Sequence, residues 1–359
     1  MTQPSNADST AAPNSLILRI VCAVCALAAI FACPARAAVD RAPSIAASFD
    51  AFWAAARDRP FTEQEEAWDR LIERPRRDLY ASVVWEIDHH PHWREDRELM
   101  LKRRFGAYPR VNLEIPSLAH TLESRIPQEV ARFRELFPDA PARPPIRLLL
   151  APNFDAKSGV LADGIPVLVF AVDTLVLEHA DMSVLFPHEL FHLYHATHAG
   201  IKNDGVMPEA DLTLPLFAEG LATYVSSLLA PGHTDAQLLL QASLGDLPPS
   251  RLREVAARFL MDAHEKAIDP AHPEPFTRWF TGSNTNYQPD LPNRTGYWLG
   301  LQLVRRMHDR FALGEIASWK PARASREAWD TLREIAGVNP ASGRRLASEV
   351  QRAQSPGHP

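Results

Sequence analysis

Two histidines four residues apart, with a glutamate after the first, impose the tightest constraint on this chain: His188-Glu189-Leu190-Phe191-His192. The spacing works on a helix, where side chains four residues apart lie one above the other on a single face. Both imidazoles can then offer a nitrogen to one ion, while Glu189 projects beside them toward the ion's open side. H-E-x-x-H on a helix is the pattern of a zinc site whose glutamate serves as general base. Five residues are too few to decide the matter. The surrounding sequence must supply a third ligand and a core rigid enough to hold all of them.

Material for such a core is present. Apolar residues make up 46% of the 359-residue chain and charged residues 23%, an ordinary balance for a globular protein. A formal net charge of −6, with no Lys/Arg-rich block, argues against nucleic acid as a partner.

The N-terminus is of another kind. Fourteen apolar residues, Ile20 to Cys33, follow Arg19 and precede Pro34-Ala35-Arg36-Ala37-Ala38. That run is shorter than the roughly 18 apolar residues of a membrane span, and small residues stand at positions 35 and 37. Residues 1–37 therefore read as a cleaved export signal, with Ala38 as the first mature residue. The mature chain is expected to be periplasmic or secreted, with no stable membrane span. Cys22, Cys25 and Cys33, all three cysteines, fall in the signal, which leaves the mature chain without disulfides or thiolate ligands. Ile30-Phe31-Ala32-Cys33 also loosely resembles a lipobox, although Phe31 is bulky for its place, so lipid modification of Cys33 is the lesser alternative.

Residues 38–140 read as helical. Ser48-Phe49-Asp50 introduces an apolar run, and Thr62-Glu63-Gln64-Glu65 forms a capping box for a helix that Pro75 stops. A third helix runs through Leu79, Val83, Val84 and Ile87, and a fourth covers Leu118 to Phe137 with a break at Pro127. Asp88-His89-His90-Pro91-His92 invites a metal reading, but nearly contiguous histidines interrupted by a proline have no frame that brings them to one ion. A polar connection is the better account. Pro141-Ala142-Arg143-Pro144-Pro145 marks a boundary. Beyond it, Ile146–Leu150 and Val167–Ala171 are short apolar runs of strand type, and Leu175 to Leu185 leads into the motif helix. Pro187 either lies in that helix's first turn or kinks a longer one.

A second helix is bracketed by Pro215 and Gly232 and contains Leu216-Phe217-Ala218-Glu219-Gly220-Leu221-Ala222-Thr223-Tyr224. Glu219 is a carboxylate in apolar company, and burying it unpaired costs several kcal/mol. It must be paired, bound to metal, or exposed. Gly220 costs the helix about 1 kcal/mol relative to alanine, and with Ala222 it keeps one face small enough for a close crossing. A third metal ligand requires such a crossing with a carboxylate on it. Residues 236–359 read as helical again: Ser250 caps a helix through Val255, Phe259 and Leu260, Gly296–Val304 begins another, and Ser325 caps one through Trp329, Leu332 and Ile335. Residues 273–295 are expected to form a long loop. The fold class is α+β, predominantly helical, with a core over residues 141–235.

Strands, an H-E-x-x-H helix, then a helix bearing Glu219-Gly220-Leu221-Ala222: in this order the chain resembles gluzincin metallopeptidases, and most closely bacterial predicted zinc-dependent proteases of the DUF2268 type. Gly164-Ile165-Pro166-Val167 and Tyr297-Trp298-Leu299-Gly300 also match, so the resemblance covers about residues 145–305. It implies a zincin-like core with a small sheet, and Zn2+ held by His188, His192 and Glu219 with water in the fourth position. It further implies that Glu189 is the general base in hydrolysing a peptide or protein substrate. An oxyanion donor is needed as well. Tyr297 is the candidate, with Tyr224 and His264 as rivals.

Two alternatives stand beside this. His188 to His198 keeps the histidine spacing of the metzincin signature H-E-x-x-H-x-x-G-x-x-H, which makes His198 a competitor for third ligand. That signature has a glycine where this chain has His195, and a Cβ there disfavours the left-handed turn. A helix continuing to about Ala199, capped by Gly200, carries His195 and His198 away from the ion. The other alternative is a non-catalytic zincin-like module that binds metal or peptide. Glu189 speaks against it, because holding a metal needs no base.

Overall fold

A computed structural model describes residues 42–199, 212–265, 274–282 and 288–338. The expected export signal, with its three cysteines and Ala38, lies outside these residues, as do Gly200 and the side chain of His264. The chain is mostly helical with one three-stranded sheet, α+β as expected. A continuous hydrophobic core runs through it from Ile45 to Leu332. Among the described residues no helix is long and apolar enough to cross a membrane.

The N-terminal helices wind around an aromatic knot. Phe52 meets Trp68 edge-on at 5.2 Å and Phe105 at 5.3 Å, while Tyr108 stands edge-on to Phe49 at 5.2 Å. Several expected boundaries move. The first helix, Ile45–Ala56, starts before Ser48, because Ser44 caps it by accepting from the Ala47 amide at 3.2 Å. The second, Phe61–Trp68, starts too early for the Thr62–Glu65 box to form. Pro60 occupies its cap position, and Gln64 instead reaches back to the Ala56 carbonyl at 3.0 Å. Pro75 does not stop the winding. It sits in a 3-10 turn, Arg74–Arg76, between two wide five-residue turns, Asp69–Glu73 and Tyr80–Val84. Glu73 pins this stretch by accepting from the indoles of Trp68 and Trp85, at 2.8 and 3.1 Å, and from Arg97.

Pro127 does not break its helix either: Glu114–Leu136 is continuous. A proline inside a helix forfeits one backbone bond and costs about 3 kcal/mol. Here the freed carbonyl belongs to Glu123, which is exposed like Pro127 itself. Buried Ile115, Ala119, Leu122, Val130 and Phe133 keep the rest of the helix on the core.

The sheet has the order β1-β3-β2, with β1 (Ile146–Leu149) parallel to β3 (Pro166–Ala171) and β2 (Ala156–Val160) antiparallel to it. β3 is central, which explains its unbroken apolar run: both faces are covered. Gly164, at φ +82°, makes the return from β2 to β3. Asp173, just past β3 and fully buried, fastens the N-terminal layer to the sheet. It accepts from the Ala151 amide at 2.9 Å and the Tyr108 hydroxyl at 2.9 Å, with Arg104 at 3.5 Å.

Three helices carry the centre of the molecule: the motif helix Met182–Ala199, the crossing helix Thr213–Leu229 and the closing helix Thr295–His308. The crossing and closing helices touch backbone to backbone. A Cβ on Gly220 would lie 2.3 Å from the Gly300 carbonyl carbon and oxygen, and one on Gly300 would lie 2.5 Å from the Leu216 oxygen. The small face expected at Gly220 therefore exists, and its partner is Gly300.

The expected long loop over 273–295 is in part helix: Glu274–Phe280 is helical, and Trp279 and Phe280 are buried. Asp262 draws this segment onto the core, accepting from Trp279 Nε1 at 2.7 Å and pairing with Arg278 at 2.9 Å. Ser250 lies within a 3-10 turn rather than at a cap. Ser325 lies inside the helix Pro321–Ala336, where its hydroxyl accepts from Thr213 at 3.0 Å.

Candidate metal centre

The motif helix starts at a carboxylate cap. Asp181 Oδ1 accepts from the Ser183 amide at 2.9 Å, and Oδ2 contacts His233 Nε2 at 3.1 Å. Pro187 lies within the helix, which continues past it to Ala199. The crossing helix bonds to this region directly, with Ser226 Oγ donating to the Val184 carbonyl at 3.0 Å. His188 and His192 thus project from one rigid element and Glu219 from a second, locked against it and against the closing helix.

The three side chains converge. His188 Nε2 is 3.2 Å from Glu219 Oε2, His192 Nε2 is 3.4 Å from the same oxygen, and the two Nε2 atoms are 3.1 Å apart. Among the described residues this is the one group of three His, Cys, Asp or Glu side chains drawn together closely enough to hold a metal ion. Tetrahedral bonds of about 2.0 Å place neighbouring ligand atoms about 3.3 Å apart. The three observed edges bracket that value, so the residues fit a small tetrahedral cation. Nitrogen, nitrogen and carboxylate oxygen are also donors that zinc accepts.

Charge follows the same logic. Burial lifts the Glu219 carboxyl, but His192 and His188 outweigh it and hold the group well below the usual carboxylate range. Burial pushes His188 below its ordinary value, although Glu219 opposes this. His192 is raised, because Glu219 overcomes the effect of burial. The ionised form of Glu219 is thus favoured, and its charge favours a proton on His192. A bound cation displaces that proton, which makes metal affinity pH-dependent.

Glu189 stands next to the ligands in the chain and is half-buried. Burial pushes its carboxyl up to about 8. Asp155 and Glu219 add to the rise, while His192 and Arg294 oppose it. A carboxyl poised near neutrality is suited to taking a proton and giving it back.

Tyr297 is buried, its ring 6.5 Å from the His188 ring and inclined by 21° to it. Tyr224 packs instead on His308 at 5.3 Å and is not in the cluster. His195 and His198 do not join it either. His195 is buried between Phe191 and Phe217, and burial drops its pKa to about 3. His198 uses both nitrogens elsewhere, Nε2 on Asp139 at 2.8 Å and Nδ1 on the Tyr194 carbonyl at 3.2 Å. The helix runs through His195 without a turn, and Glu219 rather than His198 is the third member of the cluster that could hold a metal ion. At Asp88–His92 the chain is a connection, as expected, with His90 bonded to Asp96 at 2.9 Å.

One neighbour of the site carried no sequence signal. Arg294 precedes the closing helix in a run of Pro, Asn and Asp that reads only as loop. Its guanidinium carbon lies 4.2 Å from the centre of the Tyr297 ring.

No family model matches the chain, nor does any curated protein or any solved structure.

Proposed function

We propose that the chain is a zinc-dependent peptidase with a zincin-like core, the zinc held by His188, His192 and Glu219 and Glu189 serving as general base. What carries the proposal is the convergence of three donor atoms, 3.1 to 3.4 Å apart, beside a carboxyl that no ligand role requires. The likeness to gluzincin peptidases adds the substrate class. A zinc ion bound there supplies Lewis acidity, polarising a carbonyl and lowering the pKa of water.

The chain's own residues supply the rest. A Glu189 carboxylate oxygen takes the proton from the attacking water and delivers it to the leaving amide nitrogen. Asp155 and Glu219 make that proton easier to retain between the two steps, and His192 and Arg294 make it easier to lose. Tyr297, beside His188, is the candidate donor to the developing oxyanion. The substrate is a peptide or protein, met outside the cytoplasm if residues 1–37 act as an export signal.

The test is Glu189→Gln, which keeps the shape of the side chain and removes the base. The purified chain should contain one equivalent of zinc, the variant should retain it, and peptide hydrolysis should fall by a factor of about 100 or more. Cleavage by the variant at the wild-type rate overturns the mechanism.

A further inference from the structure

One cation next to the triad, Arg294, enters the mechanism only through its charge on Glu189. Arg294 carries φ +61°, in the left-handed region, where a residue with a long side chain is uncommon and strained. The surrounding contacts hold it there. Its carbonyl accepts from the Tyr297 amide at 2.9 Å, and the preceding Asn293 carbonyl accepts from Gln241 Nε2 at 3.1 Å. Strain fixed from both sides sets the direction in which a side chain leaves the backbone.

The guanidinium lies over the Tyr297 ring at 4.2 Å, and that ring is 6.5 Å from the His188 imidazole. The cation is thus within the sum of those two distances of a metal ligand. The guanidinium hydrogen-bonds to the Tyr297 side chain, its Nε is buried without a hydrogen-bond partner, and among the described residues no carboxylate forms an ion pair with it. Other partly buried arginines among the described residues are paired: Arg97 with Glu73, Arg104 with Asp173, Arg278 with Asp262. A guanidinium held by the Tyr297 side chain and a strained backbone, with no carboxylate paired to it, is short of the planar, two-oxygen acceptor that its fork fits best.

We propose that Arg294 is the substrate-binding residue of this site and that it receives a carboxylate of the peptide. The idea rests on the peptidase reading and narrows it to peptides carrying a negative charge near the bond that is cut. Two sources share that chemistry: the free C-terminal carboxylate, and an acidic side chain next to the scissile bond. Glu178 and Asp155 line the same surroundings with negative charge. Without Arg294 they would repel such a substrate.

The experiment uses the full chain, as purified and again after chelation, so that a carboxylate resting on the metal is told apart from one held by Arg294. The probes are N-acetylphenylalanine, its amide, and N-acetylglutamate α-amide, with binding followed by calorimetry. The variants are Arg294→Asn, since asparagine tolerates the left-handed backbone without carrying charge, and Arg294→Lys, which keeps the charge. Their melting curves establish that both fold. One of the two acids should bind in both forms of the chain, about ten- to a hundredfold more weakly in the Asn variant and partly restored in the Lys variant. N-acetylphenylalanine identifies the terminal carboxylate as the source, and the glutamate derivative identifies an acidic side chain. The amide of phenylalanine should bind to neither form. In hydrolysis the same variants should raise KM for the acidic peptide by about ten- to a hundredfold and for its neutral counterpart far less.

If neither acid binds, or if Arg294→Asn binds it as well as wild type, the proposal is overturned. It is overturned too if the variant raises KM equally for acidic and neutral peptides. Arg294-dependent binding without any peptide cleavage by the zinc-loaded chain leaves the carboxylate site standing and removes the peptidase reading instead.

Discussion

Asp88-His89-His90-Pro91-His92 and His188–His192 carry similar amounts of imidazole, three rings in one and two in the other. In the first, His89 and His92 are exposed and His90 turns to Asp96, each ring finding its own surroundings. In the second, both rings share a helix face, and a carboxylate from a different helix closes the triangle. Composition does not separate the two segments. A metal site needs donors whose positions are fixed before the ion arrives, and fixing them takes two elements packed against each other. The crossing of Gly220 on Gly300 does that in one place, and Pro91 prevents it in the other.

The most severe way to break the contrast is to separate the helices. Gly220→Ala sets a methyl 2.3 Å from the Gly300 backbone. Helix propensity alone predicts a gain of about 1 kcal/mol from that change, while overpacking predicts a loss of about 3 kcal/mol or more. Chemical denaturation should give the loss, together with failure to bind zinc. A gain in stability shows that the crossing is looser than described.

Removing a ligand leaves the fold and takes the metal. Glu219→Ala should lower zinc affinity by more than the roughly 10–100-fold that loss of an outer-shell partner costs, whereas His90→Ala should leave it unchanged. Competition with a chelating dye measures both. Equal losses would mean that the two histidine-rich segments are equivalent after all.

A finer division runs along the motif helix itself. His198→Ala should leave zinc affinity within about twofold and change stability by about 0.5 kcal/mol or less, since its partner Asp139 is mostly exposed. A drop in zinc affinity as large as that of Glu219→Ala would restore His198 as the third ligand.

Asp181 gives the smallest effect and the one that depends on pH. Burial opposes its charge, but hydrogen bonds from Ser183 and the contact with His233 hold its carboxyl below the ordinary value. A carboxyl depressed in the folded state adds stability above its unfolded pKa and loses it as the pH falls through the folded one. The difference in Tm between wild type and Asp181→Ala should therefore be fully present above about pH 5 and close as the pH falls below about 4. A difference that persists at lower pH assigns the cap's contribution to something other than ionisation.

What could be read from the sequence was whatever depends on local period. Four-residue spacing placed His188 and His192 on one face, and the pair Glu219-Gly220 announced a close crossing with a carboxylate on it. β3 was visible because a strand covered on both faces is apolar throughout. β2, Ala156-Lys157-Ser158-Gly159-Val160, was not, because half-burial along its length leaves neither an apolar run nor an alternation. Pro127 and Pro75 misled for one reason: each is tolerated through its setting, exposed carbonyls in one case and a 3-10 turn in the other. Arg294 was out of reach. Its position depends on a backbone angle, and its neighbours His188 and Glu189 are about a hundred residues away in the chain.

The fastening at Asp173 bears on how the protein can be divided. Residues 141–145 look like a seam, yet the carboxylate beyond it is neutralised and bonded from the far side, by Arg104 and Tyr108. A fragment beginning at the seam would lose both the counter-charge and the hydroxyl donor of this acid, a defect of about 3–5 kcal/mol wherever the acid stays buried. The helices ahead of the seam thus act as a solvent for this buried carboxylate. A fragment that keeps this pairing has to begin upstream of Arg104.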